Sequence, residues 1–82
     1  MNPTPSSIEP DVDALIRAAL GLPAGRTVPL VRADIEQWDS LKHMEIILAL
    51  EDRFGVMFHE DEFPALDSTA AIAAAVCKHL AA

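Results

Sequence analysis

The fifteen residues Ser40 to Phe54, SLKHMEIILALEDRF, constrain this chain more than any other stretch. Ile46, Ile47, Leu50 and Phe54 fall on one stripe of a 3.6-residue period, the spacing of a helix face turned to a core. Gly55 follows at the position where a helix ends in a left-handed residue, and Asp39 or Ser40 can cap the start. The spacing therefore predicts a helix from Ser40 to about Phe54. A neighbouring stripe, Leu41, Met44 and Leu48, also recurs at steps of three and four. It is either the flank of one wide buried face or a surface with a separate task. Core packing is the commoner fate of such residues; Leu41 is expected to meet partners, Met44 to pack inside, and Leu48 is open between the two.

The rest of the chain follows the same period. Ile8, Val12, Leu15, Ile16, Ala19 and Leu20 predict a first helix from residue 8, preceded by a mobile tail over residues 1–7. Asp11 and Asp13 are expected near its start, where acids complement the helix dipole. Gly21, Pro23 and Gly25 end it. The connection from Leu22 to Asp39 carries Val28, Leu30, Val31, Ile35 and Trp38 to pack against the bundle, and its length favours a function of its own. Trp38 is expected to anchor it. Val56, Met57 and Phe58 read as a short buried link. Residues 59–66 are acidic and broken by Pro64, leaving room for one short helix. Ile72, Val76 and Leu80 then predict a last helix from Ser68 or Thr69 to about Leu80, with Cys77 as a small buried hydrophobe. No internal repeat is present, and strand signals are confined to VPLV and GVMF. With 82 residues there is room for one domain, and 51% hydrophobic residues suffice for the core of an all-α bundle.

Charge narrows the functional classes. Six Lys and Arg stand against thirteen Asp and Glu, a formal net charge of -7. Such a surface repels nucleic-acid backbones and anionic membranes and suits partners with basic patches, besides keeping a small apolar domain in solution. The single cysteine permits no internal disulfide. The first residues lack the basic and apolar regions of a secretion signal, so the cytoplasm is the expected location; separately, a monomer is expected.

The chemistry concentrates in Asp34-Ile35-Glu36-Gln37-Trp38-Asp39-Ser40-Leu41. It sets a serine at the mouth of a helix, behind acids and an aromatic residue and ahead of a leucine of exposed type. A helix N-terminus offers unpaired N–H groups and positive potential, which suit a phosphodiester. Asp39 can help place a modifying enzyme's metal ion. Asp39-Ser40-Leu41 resembles the attachment motif of the acyl carrier protein family, the phosphopantetheine-binding or thiolation domains. The similarity extends through Ile46, Ala49, Leu50, Glu51, Phe54 and Gly55, through the alternation at Val56 and Phe58, and into the helix after Ser68, covering roughly residues 8 to 80.

That resemblance implies a small antiparallel four-helix bundle, three helices long and one short, with residues 8–82 as the carrier domain. It implies a 4'-phosphopantetheine arm on Ser40, taken from coenzyme A by a separate phosphopantetheinyl transferase, which makes the chain a phosphoprotein. The arm's thiol holds cargo as a thioester for a loading ligase or acyltransferase and a downstream acceptor enzyme, and the chain itself catalyses nothing. Asp39 and Leu41 flank the attachment point; Leu41, Lys42, Glu45 and Leu48 are the expected partner face, with Glu51 and Asp52 either part of it or merely solvated. Lys42 and His43 stand where fatty-acid-synthesis members place an acid and a small polar residue, on the face that partners read, and Trp38 replaces a glycine-containing approach. These departures point to an aminoacyl or specialised acyl carrier.

Other chemistries are thinner. Ser40 and His43 lie three apart, but no G-x-S-x-G elbow surrounds the serine, so a hydrolase is not the expectation. His59, Glu60, Asp61 and Glu62 match no EF-hand or zinc spacing and read as a solvated acidic run without a metal. Ser68, after Asp67, reads as a plain helix cap. The alternative to a carrier is an unmodified acidic helical module that only docks partners.

Overall fold

The computed structural model describes residues 3–23 and 30–81. It is an all-α bundle with three long helices, α1 (Pro5–Leu20), α2 (Ser40–Phe54) and α3 (Thr69–Ala81), and a short fourth element, the 3-10 helix Glu60–Ala65. A further 3-10 turn spans Arg32–Asp34. Helix α1 packs against both α2 and α3.

Local chemistry sets each boundary. Thr4 caps α1: its hydroxyl accepts from the Ser7 N–H at 3.3 Å while the Ser7 hydroxyl accepts from the Thr4 N–H at 3.1 Å. Pro5 then occupies the first helical position, where its missing N–H leaves nothing unsatisfied. The helix thus begins three residues before the expected start, and Pro5, Ser6 and Ser7 belong to it rather than to a tail. Asp11 and Asp13 fall mid-helix as a result. Asp13 is buried and its carboxylate accepts from Arg17 Nε at 2.7 Å, a turn further along. Gly21 ends α1 in the left-handed conformation, φ 72°; Gly25 and Val28 lie outside the described residues. Asp39 caps α2, accepting from the Lys42 N–H at 2.9 Å, and Gly55 closes it at φ 66°. Ser68 caps α3 through the Ala71 N–H at 3.0 Å.

The core joins Ile8, Val12, Ile16 and Leu20 of α1 to Ile46, Ile47 and Leu50 of α2 and to Ile72, Ala73, Val76 and Cys77 of α3. Phe54 packs against it from the edge. The expected buried link at residues 56–58 is only partly so. Phe58 is buried and Val56 half-buried, but Met57 is 79% exposed, because an extended chain sends alternate side chains outward. Leu80, one turn beyond Val76, is likewise exposed, at the end of a helix that has outrun its neighbours' cover.

The long connection is tied down at three points. Leu30 and Trp38 are buried, and Ile35 packs against the core. The backbone of residues 30–32 pairs with residues 67–69: Thr69 N–H donates to Leu30 O at 2.9 Å and Arg32 N–H to Asp67 O at 2.8 Å. The buried Thr69 hydroxyl accepts from the Leu30 N–H at 3.1 Å. Val31, expected to pack inward, is 37% exposed, its role being this backbone bridge to Ser68.

Candidate functional site

The site is the mouth of α2. The cap is the Asp39 carboxylate, so Ser40 is the first helical residue and has no capping duty. Ser40 is exposed, and among the described residues its hydroxyl makes no hydrogen bond. The N–H groups at the start of a helix point out of it and carry the positive end of the dipole. An anion esterified to Ser40 would meet this positive end together with the opposing charge of the Asp39 carboxylate, and the hydroxyl is exposed.

The approach to Ser40 is held from below. Trp38 is only 3% exposed, although it lies two residues before an exposed serine. Its N–H donates to Ile35 O at 3.1 Å, its carbonyl accepts from Arg32 Nε at 3.2 Å, and its indole N–H donates to His43 Nδ1 at 2.9 Å. The other His43 nitrogen, Nε2, lies 2.8 Å from Phe63 O. An indole N–H can only donate and a carbonyl can only accept, so these two partners select the Nε2–H tautomer. Both ring nitrogens are engaged away from Ser40. Serine and histidine, three residues apart in sequence, do not form a nucleophile–base pair.

Burial of His43 corrects one expectation. His43 is closed beneath the helix, so of the two residues after Leu41 only Lys42 has a solvent-accessible side chain. The Lys42 ammonium pairs with Glu45 at 3.0 Å, both side chains being partly exposed.

The second stripe of α2 is outward. Leu41 is 69% exposed, Leu48 60% and Met44 41%. Met44 therefore does not pack in the core as expected, and the two stripes differ in burial, one in the core and one facing solvent. Glu45 lies on this face beside Leu41 and Leu48. Glu51 does not: its carboxylate accepts from the Phe58 N–H at 2.9 Å and holds the turn after α2. Asp52 is exposed.

The acidic run is also more structured than its composition suggests. Glu62 accepts from the His59 N–H at 2.7 Å and meets His79 Nε2 of α3 at 2.9 Å. The His59 N–H, first, and the His79 ring, second, hold the Glu62 carboxyl below the ordinary glutamate range. His79 also meets the Phe58 ring edge-on at 5.2 Å. Among the described residues no group of three or more His, Cys, Asp and Glu is arranged to hold a metal ion, and no helix is long and apolar enough to cross a membrane.

Comparison of the chain with family models, with curated proteins and with solved structures gives no match. The residues of the site carry the functional argument by themselves.

Proposed function

We propose that this chain is a carrier protein that holds an acyl or aminoacyl group as a thioester on a 4'-phosphopantetheine arm attached to Ser40. The observation that carries the reading is the division of roles at the mouth of α2. Asp39 performs the capping, and the Ser40 hydroxyl is exposed and unengaged among the described residues, with Leu41 exposed beside it. The residues present fit the group: a reachable nucleophilic oxygen, helix N–H groups to favour the phosphodiester, and no side chain drawn over the serine by a hydrogen bond.

In the proposed modification, Ser40 Oγ attacks the phosphorus of coenzyme A that bears the pantetheine. A new P–O bond forms, the pyrophosphate bond breaks, and adenosine 3',5'-bisphosphate departs. The serine proton is taken up by the transferase. The exposed stripe Leu41, Met44 and Leu48, with Glu45 and Lys42 beside it, serves as the face that the transferase, a loading ligase or acyltransferase, and a downstream acceptor bind. Net negative charge favours partners with basic rims. Lys42 and the Trp38 approach support an aminoacyl or other specialised acid as cargo. The arm then presents that cargo to successive partners at high effective concentration.

Intact-protein mass spectrometry after incubation with coenzyme A and a broad-specificity phosphopantetheinyl transferase tests this. The wild type should gain one phosphopantetheine. Ser40→Ala should gain none while keeping the wild-type circular dichroism and Tm, since Asp39 still caps the helix. Folded wild-type protein that stays unmodified with several transferases would return the chain to the unmodified docking module.

A further inference from the structure

We infer that Trp38 and His43 are positioning residues for Ser40, joined with the Phe63 carbonyl in one buried hydrogen-bonded line that fixes the presentation of the serine hydroxyl. The inference rests on the carrier reading and adds to it the device that aims the attachment site.

Three elements meet in this line. Trp38 belongs to the connection before α2, His43 to the first turns of α2, and Phe63 to the 3-10 helix Glu60–Ala65. The bonds run from the Trp38 indole N–H to His43 Nδ1, 2.9 Å, and from His43 Nε2–H to Phe63 O, 2.8 Å. One backbone bond spans the serine and a second fixes the turn before it. His43 N–H donates to Asp39 O at 2.8 Å, the first helical bond over Ser40, and Trp38 N–H donates to Ile35 O at 3.1 Å. Ser40 therefore sits on a bridge whose two feet, Trp38 and His43, are bonded to each other underneath it. Helix ends ordinarily fray. Here the residue two before the serine and the residue three after it are both buried.

Each member is suited to no other use in the site. The indole N–H and both imidazole nitrogens are consumed within the line, and none reaches the Ser40 hydroxyl. Apolar residues at positions 38 and 43 serve as well for burial alone. A buried donor and acceptor that match end to end add direction, because a hydrogen bond fixes angle as well as distance. The transferase must align the serine oxygen with a phosphorus atom it holds itself, and small misplacements of a nucleophile are penalised steeply.

The test is the steady-state kinetics of arm attachment with a broad-specificity transferase, varying the carrier. Trp38→Phe keeps an aromatic body and removes the N–H; His43→Leu keeps the bulk and removes both bonds. In folded variants kcat should fall about tenfold or more with KM held within about twofold, the signature of misalignment. The protein's single tryptophan supplies a second readout. The indole N–H signal of the wild type should be protected from solvent exchange by nuclear magnetic resonance, and in His43→Leu it should shift and lose protection. Unchanged kcat in folded variants, or a loss confined to KM, overturns the positioning role. An unprotected wild-type indole N–H overturns it even if Trp38→Phe fails to fold. If the wild type itself takes no arm, the carrier reading fails and this role with it, an outcome distinct from an arm attached equally fast to wild type and variants.

Discussion

Leu48 and Leu50 stand two residues apart on α2, and the same substitution in each should have very unequal consequences. Leu50 is fully buried, whereas Leu48 is 60% exposed. Truncation to alanine removes roughly three apolar carbons, worth about 0.8 kcal/mol each when buried, so about 2.4 kcal/mol is lost at Leu50 from transfer alone. A cavity that the bundle only partly closes raises this to about 3–4 kcal/mol. At Leu48 most of that surface is already in water, and alanine is as good a helix former as leucine, so the change should stay within about 0.5 kcal/mol. A domain of 82 residues has about 4–12 kcal/mol of stability at ~0.05–0.15 kcal/mol per residue. Leu50→Ala therefore removes a large share of it. With about 4–8 °C of Tm per kcal/mol at this size, Leu50→Ala should lower Tm by at least about 12 °C and Leu48→Ala by less than about 4 °C. Thermal unfolding followed by circular dichroism decides it. A Leu48→Ala loss more than half that of Leu50→Ala refutes the separation of α2 into a core stripe and a free stripe, and with it the docking face.

Other expectations follow from single contacts. Thr69→Val keeps the shape of a buried residue but leaves the Leu30 N–H without its acceptor, so it should destabilise by about 1–3 kcal/mol in urea unfolding; a neutral effect refutes the clamp on the connection. Glu62, whose carboxyl is held below the ordinary value of 4.5, binds fewer protons folded than unfolded. Its contribution is therefore present above that range and fades as pH falls through the lowered folded value, and Glu62→Gln should flatten the acid limb of the stability curve measured by denaturant titration. An unchanged limb contradicts the assignment. With His43 buried, Lys42 is the outward departure after Leu41, so a fatty-acid malonyl transferase should load the wild-type holo-protein poorly and Lys42→Glu several times faster. Efficient loading of the wild type removes the support for a specialised cargo.

Much of the architecture is legible because hydrophobic period and end signals agree within each helix. In α2, Asp39, the Ile46–Ile47–Leu50 stripe and Gly55 mark the start, inner face and stop independently. The start of α1 carries its own signal in Thr4-Pro5, a capping residue before a proline at the first helical position, and those two outweigh the small polar composition of residues 5–7. Register places His43 on the stripe of Ile46, Ile47 and Leu50, although a serine three residues earlier invites a chemical reading instead. What register cannot supply is the partner. Phe63 lies twenty residues away, and the pairing of residues 30–32 with 67–69 joins segments that no local pattern relates. Such contacts depend on how the helices pack, not on any local pattern. The outward turn of Met44 has the same origin, since a stripe at helical spacing is equally compatible with core and surface until its neighbours are in place.

On the proposed carrier reading, the mouth of α2 meets two requirements that pull against each other. A helix start needs its N–H groups satisfied, and the residue best able to do so is a short polar one such as serine. A serine that caps has its oxygen turned into the helix and is a poor nucleophile for an outside enzyme. Moving the cap one residue back, to Asp39, resolves this: the Lys42 N–H is satisfied at 2.9 Å by a carboxylate, and Ser40 keeps a hydroxyl with no partner among the described residues. The carboxylate also lies at the positive end of the helix dipole, where a negative charge on a surface helix is favoured by about 0.3–1 kcal/mol. A phosphodiester on Ser40 would share that potential but also face the charge of Asp39, so attachment should leave the stability of the fold nearly unchanged. That near-neutrality suits a carrier, which must be folded before its arm arrives, and it follows from placing the acid and the serine side by side in that order.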